Sequence, residues 1–260
     1  MKSLRLICFI LLLATGPAWA QDSNSWDWKI TPYLWTVGID GDLTVGDVDI
    51  PMDISFGDIL EDFDIGGSIY GEIGKGHHAL HFDYTYLRLK PDPTPLPPVF
   101  PDGSTVATKM TMNIFEPAYN YRFEAGANSS VSLVLGARYY DIEVRVTPDV
   151  VTPELLPEPP ISVDPFTVGP SWWDYFVGFK THSTIGDKWD FDAYGTIGGG
   201  DSDLPWSFQG VFGRKFSNDN RLALGFRVWG LDYSDVDGAL GQYTELDVTL
   251  WGFLIGYEFN

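Results

Sequence analysis

Beyond its first twenty residues the chain has no cysteine. The single one, Cys8, lies in an apolar N-terminal stretch with no small residue before it in lipobox fashion. A disulfide framework, a thiolate site and a lipoprotein anchor are all excluded from the remainder. Basic residues are scarce as well, 16 Lys and Arg against 36 Asp and Glu for a net charge of −20. Such a chain repels the phosphates of nucleic acid, so no nucleic-acid partner is expected. Long apolar runs are missing too. No stretch after residue 20 holds eighteen consecutive apolar residues, which excludes a transmembrane helix.

Residues 1–20 have the layout of a signal peptide. Lys2 and Arg5 precede the apolar run Leu6 to Leu13, Gly16-Pro17 breaks it, and Ala18-Trp19-Ala20 is an A-x-A cleavage site ahead of Gln21. About ten apolar residues are too few to cross a hydrocarbon core of roughly 30 Å as a helix. Residues 21–260 then form the exported chain, long enough for one large all-β domain or two small ones.

Aromatics (15%) and glycine (28 residues) are abundant instead. From residue 26 the aromatics recur at every second position. Leu80, Phe82, Tyr84 and Tyr86 alternate with His81, Asp83 and Thr85, and Trp173, Tyr175, Val177 and Phe179 with Asp174, Phe176, Gly178 and Lys180. Soluble strands average about five or six residues. These runs are about twice that, the length a tilted strand needs to cross a bilayer, and aromatics mark their ends as interfacial girdles do. The fold expected is an all-β, transmembrane, antiparallel up-and-down β-barrel. Ten runs are discernible, near 26–38, 64–75, 78–90, 106–123, 130–146, 170–184, 188–199, 204–216, 220–233 and 244–259. Eight or twelve strands stay open, because 40–45 and 47–54 could pair as a hairpin.

The links alternate between tight and long. Long extracellular loops are expected near 39–63, 91–105 and 147–169, with short periplasmic turns between. Two of these loops are proline-rich, with Pro91, Pro93, Pro95, Pro97, Pro98 and Pro101 in one and Pro148, Pro153, Pro157, Pro159, Pro160 and Pro165 in the other. Proline has no N–H to donate, so both segments are expected to be stiff and solvated rather than stranded.

Trp28 to Trp35 (WKITPYLW), Gly41-Asp42, Ser55-Phe56 with Ile59-Leu60, and Gly136 to Asp141 (GARYYD) resemble a largely uncharacterised family of Gram-negative outer-membrane β-barrel proteins. Gly199 to Trp206 (GGDSDLPW) and Leu231-Asp232-Tyr233 resemble its later landmarks, so the likeness runs in order over most of the chain. It implies a barrel in the bacterial outer membrane, and no activity or catalytic residue to carry over. The end of the chain, Trp251, Phe253, Ile255, Tyr257 and Phe259, is similar to the signal read by barrel-assembly machinery, although Asn260 follows the phenylalanine.

If the aromatics face lipid, the alternate positions face the lumen. Those positions include Glu72, Asp83, Glu116, Asp174 and Asp192, with Lys29, Arg122, Arg138, Lys180, Lys215 and Arg227 against them. A narrow barrel is filled by its side chains, and unpaired buried charge is costly. A cross-linked charge network is therefore expected, with a thin polar pathway as the functional alternative. Asp40, Asp42, Asp47 and Asp49 are weak candidates for a hard cation in an acidic stretch without Lys or Arg. The plain reading of that stretch is a solvated acidic surface; cation bridging to lipopolysaccharide is the alternative.

The four histidines read as turn residues, and the tryptophans as interface anchors rather than sugar platforms. His182-Ser183 is a poor catalytic pair, since neighbours on a strand face opposite ways. The expected function is a non-enzymatic outer-membrane protein acting in envelope integrity or surface interaction. A narrow pore or transporter for small solutes is the alternative, and an outer-membrane lipid-modifying enzyme the third. No cofactor is expected. Expected partners are outer-membrane lipid and lipopolysaccharide, the assembly machinery through the C-terminal strand, and divalent cations at the acidic loops.

Overall fold

The computed structural model describes residues 25–45, 48–95, 101–126, 128–151, 164–216, 220–235 and 243–260. The signal-peptide segment, Asp47, and most of the second proline-rich stretch lie outside them. In chain order the elements begin with β1 (Asp27–Val45), β2 (Val48–Ile54), helix α1 (Phe56–Glu61), β3 (Phe63–Lys75), β4 (His78–Leu89) and β5 (Thr94–Pro95). There follow β6 (Thr105–Gly126), β7 (Ser129–Asp149), β8 (Phe166–Val168) and β9 (Ser171–Ile185). The chain ends with β10 (Trp189–Gly200), β11 (Trp206–Lys215), β12 (Arg221–Asp235) and β13 (Thr244–Glu258).

Ten of these strands form a closed antiparallel barrel, β1, β3, β4, β6, β7 and β9 to β13, each paired with the next. The ladder between β1 and β13 closes it, from Tyr33↔Gly256 to Val45↔Thr244. Below Tyr33 that seam continues only as a single bridge between Ile30 and Phe259. Pro32 stands between the two, and it has no N–H for a ladder.

The two-residue period decides which side chains meet which medium. Along β9 exposure alternates strictly from Ser171 to Phe179. Tyr175, Phe179 and Phe253 are 65%, 61% and 66% exposed, whereas Asp174 between the β9 aromatics is 1% exposed. The outer wall therefore carries a continuous belt of exposed Phe, Leu, Ile and Trp, far beyond what a water-facing surface tolerates. Among the described residues no helix is long and apolar enough to cross a membrane. The crossing elements of this fold are its strands.

One end of the barrel is bounded by tight turns, with Gly76 (φ +60°) and Gly186 (φ +65°) supplying the left-handed residue in two of them. At the other, loop end, three expected loops are partly strand. Residues 39–45 continue β1 and pair with β2, so the hairpin left open in the sequence exists, as an extension above the wall rather than an eleventh and twelfth strand. β6 and β7 run on together to Thr105↔Asp149. Pro95 and Pro148 are thus laddered, against Thr105 and Val106, which corrects the expectation that neither proline stretch is stranded. Among the described residues the far side of β7 at Pro148 has no strand partner, since β8 pairs with Val144–Val146, and an open edge accommodates proline.

Helix α1 was not expected. Its signal is a capping box: the Ser55 hydroxyl accepts from the Asp58 N–H (3.3 Å), and the Asp58 carboxylate accepts from the Ser55 N–H (2.8 Å).

Candidate functional site

The lumen divides along the axis into two zones. In the loop half it is an aromatic plug. Trp172 stacks on Tyr140 (4.6 Å between ring centres) and on Tyr233 (4.2 Å), and Trp35 stacks on Trp229 at 6.1 Å. Ile59 of α1, Met112, Ile114, Val248 and Leu250 complete this cluster, which reaches across the barrel. These aromatics correct the reading of the tryptophans as interface anchors. Trp35, Trp172 and Trp229 stand on the inward parity of β1, β9 and β12, while Trp173, Trp206 and Trp251 face out.

Below the plug lies charge. Arg138 and Glu116 are 2% and 7% exposed at their side chains and 2.5 Å apart. Glu116 also accepts from the Tyr194 hydroxyl (2.8 Å), and its other neighbour is His81 at 3.4 Å. The guanidinium of Arg138 lies 3.9 Å from the Trp229 ring centre, joining network to plug. A second group forms beside it. Asp83 accepts from Arg227 (2.8 Å) and the Tyr33 hydroxyl (2.6 Å), and Arg227 donates onward to Gln209 (2.8 Å).

Toward the turn end Glu72 gathers three cations, Lys180 at 2.6 Å, Lys29 at 3.5 Å and Arg122 at 3.7 Å. Asp192 meets His182 at 2.8 Å and Arg221 at 2.5 Å. Arg221 also reaches Asp190 (2.5 Å) and Glu258 (3.4 Å), and Lys215 lies 3.7 Å from Asp190.

Ten of the eleven candidate lumenal residues, Lys29, Glu72, Asp83, Glu116, Arg122, Arg138, Lys180, Asp192, Lys215 and Arg227, therefore lie in these groups. Asp174 does not. Its Oδ1 accepts from the Ser202 N–H (2.9 Å), and the Ser202 hydroxyl accepts from Trp172 Nε1 (2.9 Å), so it ties the β10–β11 connection into the barrel mouth. Arg221, Asp190, Glu258 and Tyr33 were missed, though the first two and Tyr33 share the parity of Arg227, Asp192 and Lys29, and Glu258 alternates with the outward Tyr257 and Phe259.

The histidines need a further correction. His81 is 5% exposed inside the lumen, and His182 faces Asp192 there, because 81 and 182 share a face with 83 and 180. Ser183 pairs with Ser129 (3.2 Å) and not with His182. Nor do the acidic candidates for a cation converge. Asp40 is bonded by the Trp251 indole and Asp49 by the Thr44 hydroxyl (2.8 Å), while Asp42 is exposed and Asp47 lies outside the described residues. The one triad of potential metal ligands among the described residues is His182, Asp190 and Asp192. Arg221 and Lys215 already offset its carboxylates.

Cavities follow this division. One of 230 Å³ opens among Glu72, Arg122, Lys180 and His182 at the turn end, and one of 90 Å³ lies deeper, beside Tyr33, Asp83 and Arg227. The last, 20 Å³, ends against Trp229 and is about the size of one water.

No protein-family model matches the chain, and no curated protein matches it in sequence. Among solved structures it is similar to the outer membrane protease OmpT of Escherichia coli, at 8% identity over 92% of this chain and 98% of that one, with a TM-score of 0.53. The TodX monoaromatic hydrocarbon channel, also 8% identical over 92% and 91% of the two chains, has a TM-score of 0.18 and carries no argument. The first likeness shows the fold, that of a bacterial outer-membrane β-barrel.

Proposed function

We propose that this is a non-enzymatic protein of the bacterial outer membrane whose bore is sealed, and that it acts at its surfaces, in envelope integrity or surface interaction. One observation carries the reading: the lumen is spanned across its width by stacked aromatics in the loop half, above a zone of paired charges. The exposed apolar belt supports the membrane placement. Outer-membrane lipid and lipopolysaccharide are the partners proposed for that belt and its rim, with divalent cations at the acidic loop-end surface. Export by residues 1–20 and assembly through the β13 end belong to the same reading.

A narrow pore for small solutes is the second reading. In its favour stand the charged cavities that rise from the turn end, although they end beneath Trp229. A lipid-modifying or proteolytic role draws no support from the likeness to OmpT, since identity at that level speaks for fold alone.

Conductance of the refolded, heat-modifiable protein in a planar bilayer at two salt concentrations separates the readings. A folded but silent barrel is expected. Steady openings that scale with salt would replace the sealed barrel by the pore.

A further inference from the structure

The barrel wall is split at one place. β1 pairs with β3 only from Asp27↔Gly74 to Tyr33↔Ser68. Above that, residues 34–38 of β1 pair only with β13, and residues 63–67 of β3 only with β4. A register shift between Phe63 and Ile65 bends β3 away from the seam. Open strand edges are not tolerated in hydrocarbon unless something covers them. Here α1 lies over the split, with Ile59 pointing into the core cluster.

Beneath α1 the split holds an apolar cavity of 220 Å³ that passes through the wall. Its outer lip is Leu34 and Ile255, ladder partners that are 54% and 48% exposed within the lipid-facing belt. Its inner end is Met112 and Trp35, on the lumenal side. At Gly67 an added Cβ would meet nothing within 4 Å, so the cavity is open there as well. At the loop end of the same β3–β4 face, Asp64 is paired with both Arg88 and Lys90, the latter at 3.1 Å. Arg88 and Lys90 are two cations on one carboxylate, so that pair carries one excess positive charge, beside the acidic Glu61 and Asp62 at the end of α1.

We propose that this cavity seats one acyl chain of lipid A, entering sideways between β1 and β3 beneath α1, with the lipid's phosphate held at Arg88 and Lys90. The cavity is continuous with the belt that faces hydrocarbon, which makes a lipid chain its natural occupant. A saturated chain is slender and flexible enough to pass a gap one strand wide, and the phosphate matches the excess positive charge. The proposal rests on the outer-membrane placement and names a site within it.

The test is photocrosslinking in intact outer membranes, in the full chain carrying a photoreactive benzophenone side chain at one position. Met112 samples the inner end of the cavity, Phe212 the lipid belt on a distant strand, and Val134, 0% exposed, the closed interior. Heat-modifiable migration confirms that each variant is folded. A lipid A adduct is expected at Met112, a lipid adduct of either leaflet at Phe212, and none at Val134. Gly67→Leu should abolish the Met112 adduct and leave that at Phe212, whereas Gly199→Leu, also at an open position, should leave both. An adduct at Phe212 alone, or a phospholipid in place of lipid A at Met112, overturns the proposal. Absence of lipid at Phe212 overturns the membrane placement itself.

Discussion

Breaking the Arg138–Glu116 pair is the sharpest test of what holds the lumen together. Both side chains are nearly inaccessible, and Arg138 donates to Glu116 from Nε (2.8 Å) and Nη2 (2.5 Å). Arg138→Met removes these two bonds and the contact with Trp229 while roughly conserving volume. Glu116 then keeps only Tyr194 and His81 as polar neighbours. Removing one member of such a pair costs about 3–5 kcal/mol, most of it from the charge left behind. The surviving Tyr194 bond argues for the lower end, about 3 kcal/mol. Adding Glu116→Gln removes the orphaned charge, so the double variant should recover to within about 1 kcal/mol of the parent, about 2 kcal/mol more stable than Arg138→Met alone. Urea unfolding in lipid vesicles, followed by tryptophan fluorescence, measures the parent, both single variants and the double. A double variant as unstable as the sum of its singles would refute the claim that charge pairing governs this zone. An Arg138→Met protein with the parental midpoint would refute the burial argument entirely.

Three further outcomes are expected. Trp172→Ala removes a fully stacked ring from the plug and should cost about 3–5 kcal/mol; combined with Trp229→Ala it should make a silent barrel conduct in planar bilayers, and continued silence would place the seal elsewhere. Gly213→Ala would put a Cβ 1.7 Å from Arg221 Nε and 2.2 Å from Asp190 Oδ1, so it should destabilise by about 1–3 kcal/mol in the same urea assay, while Gly199→Ala, in open space, should not. The hydroxyl and backbone N–H of Ser55 hold the Asp58 carboxyl below its ordinary value of 3.8. A depressed carboxyl stabilises fully above that ordinary value and loses its contribution as pH falls through the folded one. Hydrogen exchange should therefore find α1 protected at neutral pH and loosened only below about pH 4; loosening already near pH 6 would show that the capping box does not hold it.

The wall of this barrel was legible because a strand's period and a membrane's thickness each leave a mark in sequence. Ten aromatic-alternating runs correspond to the ten wall strands, and ten of the eleven charges singled out by parity lie in the lumenal groups. What failed was everything set by neither period nor length. Helix α1 spans only six residues, too short for a helical pattern, and its capping box fell inside a stretch read as loop. Asp174 has the right parity but sits opposite a bound connection, and Ser202 reaches it before any base can. The histidines were judged by their closeness to turns, when parity already pointed His81 and His182 inward.

The aromatic plug shows the deeper reason. Alternation tells which face a side chain takes, but not its height along the axis, and in this barrel the lumen changes character with height. Along β12 the inward positions read Arg221, Ala223, Gly225, Arg227, Trp229, Leu231 and Tyr233. Counted upward from Arg221, charge ends and aromatics begin at one level. β7 does the same from Arg138 to Tyr140, and in reverse β9 places Trp172 above Lys180 and His182. Adjacent strands share that level because the ladders hold Arg138 beside Asp174 and Tyr140 beside Trp172. A lumen read strand by strand therefore looks like scattered charge with stray tryptophans. The same residues, ordered by distance from the turns, form a charged well beneath an aromatic stopper, and that ordering is what argues for a sealed barrel over a pore.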